Sequence, residues 1–109
     1  MPLALHTIAH AKRDLKRVHS DNPLQAKRIV EAIRSLAEDP RPEGCTAVVG
    51  QGSLYRIRVG NFRVIYCLQE PLNALIIVAI RRRSEQTYKR IPLKSLAEEI
   101  AALKKLQPK

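Results

Sequence analysis

Leu54-Tyr55-Arg56-Ile57-Arg58-Val59-Gly60-Asn61-Phe62-Arg63-Val64-Ile65-Tyr66-Cys67-Leu68 is the stretch whose reading decides the fold. Two alternating runs rich in β-formers flank Gly60-Asn61, the signal of a two-residue hairpin loop. With that loop, Val59 opposes Phe62 and Arg58 opposes Arg63. Opposed residues of an antiparallel pair point to one face, and Arg56 joins them by the period of two. Like charges placed directly opposite cost roughly 0.2–1 kcal/mol. Such crowding of guanidinium groups suits a patch that meets an anion, and phosphate matches their geometry.

Working outward, Glu70-Pro71-Leu72-Asn73 reads as a turn. Ala74–Ile80 is an almost unbroken apolar run, as expected of a central strand buried on both faces. Arg81-Arg82-Arg83 follows it. Toward the amino terminus, Thr46–Val49 reads as a short strand before the turn Gly50–Ser53. A helix is expected from the cap Asn22, with Pro23 at its first position and Gln25 reaching back. Its apolar face is Ala26, Ile29, Val30, Ile33, Leu36 and Ala37, and Asp39-Pro40-Arg41-Pro42 ends it. An earlier helix is expected from the cap Thr7 to about Val18, with Ile8, Ala11, Leu15 and Val18 inward. Lys12, Arg13, Lys16 and Arg17 lie on its outer face. Leu3–His6 reads as a first strand. Pro92 precedes a last helix with Ser95 and Glu98 as a capping box and Leu96, Ile100 and Leu103 as its stripe.

The expected fold is α+β. A small antiparallel sheet of about four strands carries an N-terminal helical hairpin on one face, in the order β-α-α-β-β-β-α, with a C-terminal helix over about 92–109. The chain has 109 residues, so residues 1–109 read as one domain. Its 20 Lys+Arg against 10 Asp+Glu give a net charge of +10, which favours a polyanionic partner. With no Trp and one Phe it is not an aromatic platform for single strands. No run is long enough for a membrane helix, and Lys12 and Arg13 interrupt any signal-peptide pattern. A cytoplasmic protein without membrane association is expected. Cys45 and Cys67 lack metal-ligand spacing and read as free thiols. His6, His10 and His19 read as surface histidines, and no metal is expected. Tyr55 and Tyr66 read as core or core-edge residues.

The central strand delivers Arg81, Arg82 and Arg83 beside Arg56, Arg58 and Arg63. Tyr88, Lys89 and Arg90 follow, and the only acids from Gly44 to Arg90 are Glu70 and Glu85. The cluster suits a phosphodiester backbone. Guanidinium groups can also stabilise a phosphorane-like transition state, with no need of a cofactor. A ribose 2′-hydroxyl would be the nucleophile, confining the chemistry to RNA and leaving a 2′,3′-cyclic phosphate.

Residues 54–66 resemble the "yRirvGdyRviY" hairpin of the RelE/ParE superfamily of toxins from bacterial type II toxin–antitoxin pairs. Arg83-Ser84-Glu85-Gln86-Thr87-Tyr88 resembles its closing R-x-x-x-Y element, with one extra residue. The order of elements agrees over residues 3–90. The RelE-like branch implies a ribosome-dependent mRNA endonuclease, an mRNA interferase that inhibits translation and arrests growth. It also implies a cognate antitoxin, which an acidic, partly disordered segment would supply. The resemblance places Arg56 and Arg58 where the best-known branch has lysines, one of them proposed as general base. It places Arg63 at the arginine that stabilises the phosphate, Arg82 or Arg83 near the leaving group, and Tyr88 at the tyrosine that orients the substrate. Arg81, Lys89, Arg90, Lys12, Arg13, Lys16 and Arg17 are expected RNA contacts. Arginine is a poor proton acceptor, so the general base is left open. A ParE-like inhibitor of DNA gyrase and a non-catalytic nucleic-acid-binding module are the competing readings.

Overall fold

The computed structural model describes residues 2–48, 53–82 and 91–106. The strands are β1 (Ala4–Thr7), β2 (Thr46–Ala47), β3 (Leu54–Val59), β4 (Phe62–Gln69) and β5 (Ala74–Arg82). The helices are α1 (Ala9–Asp21), α2 (Pro23–Leu36) and α3 (Leu93–Lys105). They form an α+β fold whose single sheet has the strand order β1-β5-β4-β3-β2.

The apolar run makes β5 the inner strand between β1 and β4, and every residue from Ala74 to Ile80 is buried. Gly60 adopts φ +57 and closes the β3–β4 hairpin in the expected register, Val59 opposite Phe62 and Arg58 opposite Arg63. At the other end of β4, Glu70–Leu72 is a 3₁₀ turn, and Asn73 takes the left-handed conformation (φ 52) that starts β5.

The sheet and the start of α1 depart from the sequence reading. The sheet has five strands and is mixed, because β1 runs parallel to β5, with Ala4 beside Ala74 and Thr7 beside Ile77. A parallel neighbour requires a long crossover, and the helical hairpin provides one. Thr7 therefore ends β1 instead of capping α1; Ile8 is the N-cap and makes no side-chain cap bond.

The helices α1 and α2 are joined by Asn22 alone. Its N–H donates to Val18 O (2.7 Å) and its side chain accepts from Gln25 N (3.1 Å), so one residue ends one helix and caps the next. The Gln25 side chain does not fold back onto the cap. Its Nε2 donates to Val59 O at 3.1 Å, which fastens α2 to the mouth of the hairpin.

The hairpin of helices packs on the sheet face that carries Ile57, Phe62, Val64 and Ile80. Val18 shares a crevice with Phe62 and Ile80, and Leu36 shares one with Ile57 and Val59. On the same face Tyr66 is fully buried and stacks on Tyr55 with centroids 5.9 Å apart. Its hydroxyl donates to Pro40 O at 2.6 Å, anchoring the segment after α2.

Helix α3 begins at Leu93, earlier than the expected cap, because Pro92 O already accepts from Leu96 N (3.0 Å). Ser95 and Glu98 thus sit inside its first turns and form no cap. Leu96 is buried, and Ile100 and Leu103 pack half-buried against the core. His6 lies beside Ile76, which pairs with Cys67 and so with Leu54, two residues before Arg56. His6 Nδ1 lies 4.0 Å from Glu99 Oε1, which places α3 on the arginine side of the sheet.

Candidate nucleic-acid interface

Sheet register builds the site. Arg58 on β3 stands opposite Arg63 on β4, and Arg63 in turn stands opposite Arg81 on β5. Opposed residues share a face, so three guanidinium groups form a row across three adjacent strands. Neighbouring strands lie about 4.8 Å apart, so the row spans roughly 10 Å. Arg56, two residues before Arg58 and opposite Thr46, extends the same face along the strand. A cleft of about 280 Å³ opens here, lined by Gly44, Thr46, Arg56, Ile57, Arg58 and Arg63. Among the described residues no carboxylate lines it.

The row lies four residues, about 13 Å, from the line of Leu54, Cys67, Ile76 and His6 over which α3 sits. Arg58 is exposed, whereas Arg56, Arg63 and Arg81 are half-buried. Half-burial raises the electrostatic reach of these cations, because less water screens them.

The arginine triplet is divided by strand parity. Arg81, expected beside the arginines of the hairpin and as an RNA contact, joins the row. Arg82 stands opposite Phe62 and belongs to the helix face, where its Nη2 donates to Asp21 Oδ2 at 3.0 Å. This corrects the expectation that Arg82 sits among the arginines of the hairpin. Arg83, Tyr88, Lys89 and Arg90 lie outside the described residues. Lys12, Arg13, Lys16 and Arg17 are exposed on α1, and Arg17 lines a small crevice with Arg81 and Arg82. Lys12 and Lys16 flank a broad groove between α1 and α2 together with Lys27 and Arg34, over a floor that includes Leu15 and Val30.

A small network links the row to α1. β1 ends at Thr7 beside Ile77, so the outer edge of β5 is uncovered beyond that point. Asp14, buried at 6% exposure, fills the gap: its Oδ2 accepts from Ile80 N at 3.0 Å. An uncompensated buried amide would cost about 1–3 kcal/mol, which explains a carboxylate at this depth. His10, one turn earlier, places Nε2 3.8 Å from Asp14 Oδ2 and 3.2 Å from Arg81 Nη2. The sequence reading missed this pair. The available signal was an acid among the inward positions Ala11, Leu15 and Val18, with a histidine four residues before it.

The remaining nucleophile and ligand candidates do not converge. Cys67 is buried in the sheet, and burial pushes its thiol up. Cys45 is half-buried, and both cysteines are free thiols. Among the described residues no group of three His, Cys, Asp or Glu side chains could hold a metal, and no helix is long and apolar enough to cross a membrane.

A family model described as the ParE toxin of the type II toxin–antitoxin system parDE matches residues 9–87. A Methanocaldococcus jannaschii protein named toxin RelE1 is 35% identical over 81 residues, covering 72% of this chain and 89% of the relative. The fold is shared with the archaeal RelE–RelB complex of Pyrococcus horikoshii (TM-score 0.67, 22% identity, covering 78% of this chain and 99% of that one). It is also shared with the toxin–antitoxin complex RelBE2 of Mycobacterium tuberculosis (TM-score 0.66, 19% identity, 76% and 100%). An E. coli RelE mutant in the free state aligns over 94% of this chain and 98% of its own (TM-score 0.65, 13% identity).

Proposed function

The chain belongs to the ParE toxin family of type II toxin–antitoxin systems, within the RelE/ParE superfamily, and on that footing we propose that it is a ribosome-dependent mRNA endonuclease. The observation that carries the proposal is the row Arg58–Arg63–Arg81 across β3, β4 and β5. Three cations on one face, spread over roughly 10 Å, match a phosphate and its neighbours along an RNA strand.

Arg63, at the centre of the row, binds the scissile phosphate, and Arg81 neutralises charge toward the leaving oxygen. Arg56 and Arg58 hold adjoining phosphates along the cleft. The ribose 2′-oxygen loses its proton and attacks the phosphorus. The bond to the 5′-oxygen breaks, and that oxygen takes up a proton. The products are a 2′,3′-cyclic phosphate and a 5′-hydroxyl. The guanidinium groups stabilise the charge that builds on the phosphoryl oxygens. The ribosome presents the mRNA in an extended form, and cutting it stops translation and growth in the cytoplasm. Tyr88 is proposed to orient the substrate.

A cognate antitoxin is proposed as the partner, in line with the solved toxin–antitoxin complexes of this fold. An acidic segment would cover the arginine row or displace α3, which packs on the core through Leu96, Ile100 and Leu103.

The test is a cell-free translation reaction with mRNA ends mapped by primer extension, with Arg63→Ala alongside. Cuts within translated codons that vanish in the variant support the proposal; intact mRNA with the active chain overturns it. The match to the ParE toxin model favours one second reading, inhibition of DNA gyrase. That reading expects inhibited supercoiling and no mRNA cleavage.

A further inference from the structure

We infer that His10 is a positioning residue for Arg81, so that the phosphate-binding row is set from helix α1 as well as from the sheet. The inference rests on the nuclease reading for its consequence and on geometry for its substance.

Arg81 faces Arg63 across the β4–β5 ladder, and both carry positive charge. Two cations so placed tend to splay apart. Arg81 is restrained from its other side: its Nη2 lies 3.2 Å from His10 Nε2. A guanidinium has only donors, so Nε2 must accept. The imidazole is then neutral, with its proton on Nδ1.

The same nitrogen lies 3.8 Å from Asp14 Oδ2, beyond hydrogen-bond reach, while that oxygen is occupied by Ile80 N at 3.0 Å. Asp14 thus ties α1 to β5 one residue before Arg81, which fixes the ring and the guanidinium on a common frame. Among the described residues the charged groups that contact the ring are Arg81 from β5 and Asp14 from its own helix.

Adding a proton to the ring reverses the arrangement. Nε2 becomes a donor, turns toward Asp14 and loses its bond to Arg81. A third positive charge then stands beside Arg63 and Arg81. The restraint that His10 places on Arg81 therefore belongs to the neutral imidazole, and a change in the protonation of the ring is read at Arg81. His10 need not touch RNA for this role.

The experiment has two arms. In the first, the Arg81 Nε–Hε signal of the free chain is followed by NMR between pH 5.5 and 8.5, in the unmodified protein and in His10→Gln. Glutamine keeps a neutral acceptor at the position of Nε2. The expected result is a pH-linked shift at Arg81 in the unmodified chain and a flat response in His10→Gln. No pH-linked shift in the unmodified chain overturns the inference, whatever the chain's activity. In the second arm, single-turnover cleavage on ribosomes stalled with a defined mRNA is measured across the same pH range. His10→Ala is expected to be slower on the order of tenfold, the size of one lost hydrogen bond to a charged group. His10→Gln is expected to recover most of the rate with a flatter pH profile, and thermal unfolding checks that both variants fold. A His10→Ala rate and profile equal to the unmodified chain, or no recovery in folded His10→Gln, also overturns it. Absence of cleavage by the unmodified chain counts against the nuclease reading, and the NMR arm then decides the positioning role alone.

Discussion

Arg63 and Arg81 stand directly opposite each other on β4 and β5, and Arg58 repeats the relationship on the other side of Arg63. Each such like-charge pair opposes folding by roughly 0.2–1 kcal/mol, so the arrangement weakens the sheet that carries it. Residues that bind a ligand at the expense of stability are a recurrent feature of functional sites.

Arg63→Gln is accordingly expected to raise the unfolding free energy by a few tenths to about 1 kcal/mol, because it relieves two opposed pairs at once. The same substitution should lower mRNA cleavage by about 10²–10³-fold, the usual cost of losing one transition-state donor. Urea unfolding and single-turnover cleavage on the same sample check both signs. A variant that is less stable and equally active would separate Arg63 from the site.

The hairpin turn offers a second test. Gly60 has φ +57, and a Cβ there would meet Gln25 Nε2 at 2.7 Å. Gly60→Ala is expected to destabilise the chain by about 1–2 kcal/mol from the left-handed conformation alone. Adding Gln25→Ala removes the close contact but also the bond to Val59 O, so it should recover only part of the loss. Denaturant midpoints of the two single variants and the double variant give the coupling.

Asp14 caps a backbone amide in a buried place. Asp14→Ala is expected to cost about 1–3 kcal/mol, because Ile80 N is left without an acceptor. Asp14→Asn retains an oxygen at the same position and should cost less. Hydrogen exchange at the Ile80 amide reports the change directly, with faster exchange in Asp14→Ala than in Asp14→Asn.

Tyr66 makes the fold sensitive to alkali. Burial is the main reason its phenol is pushed above the ordinary value of 10.0. The unfolded chain therefore releases this proton first as the pH rises. The contribution is fully present below about pH 10 and declines above it. Tyr66→Phe is expected to show a shallower loss of stability between pH 10 and 11.5 than the unmodified chain. At pH 7 it should be less stable by about 1 kcal/mol, since Pro40 O loses its donor.

Much of this architecture was legible because local chemistry decides it. The two-residue loop Gly60-Asn61 leaves one register for the hairpin, and with it the pairing of Arg58 and Arg63. The unbroken apolar run marks β5 as an inner strand. Features set by distant contacts were not legible. The direction of the four-residue strand β1 depends on how the helical hairpin crosses the sheet, and Thr7 is drawn into that strand by Ile77. Which arginine of the triplet joins the row depends on parity at the end of β5: Arg81 does, while Arg82 turns toward Asp21. His10 was unreadable as a site neighbour because its role arises only where β1 stops and leaves the edge of β5 to α1.

The central claim is that the arginine row promotes attack by a ribose 2′-hydroxyl on the adjoining phosphate. The most direct measurement is single-turnover cleavage of an mRNA held in the ribosome, compared with the same mRNA carrying one 2′-deoxy nucleotide at the mapped cut. The account expects a 2′,3′-cyclic phosphate and a 5′-hydroxyl from the all-ribose strand, and no cut at the 2′-deoxy position. Equal cleavage of the two strands would contradict it.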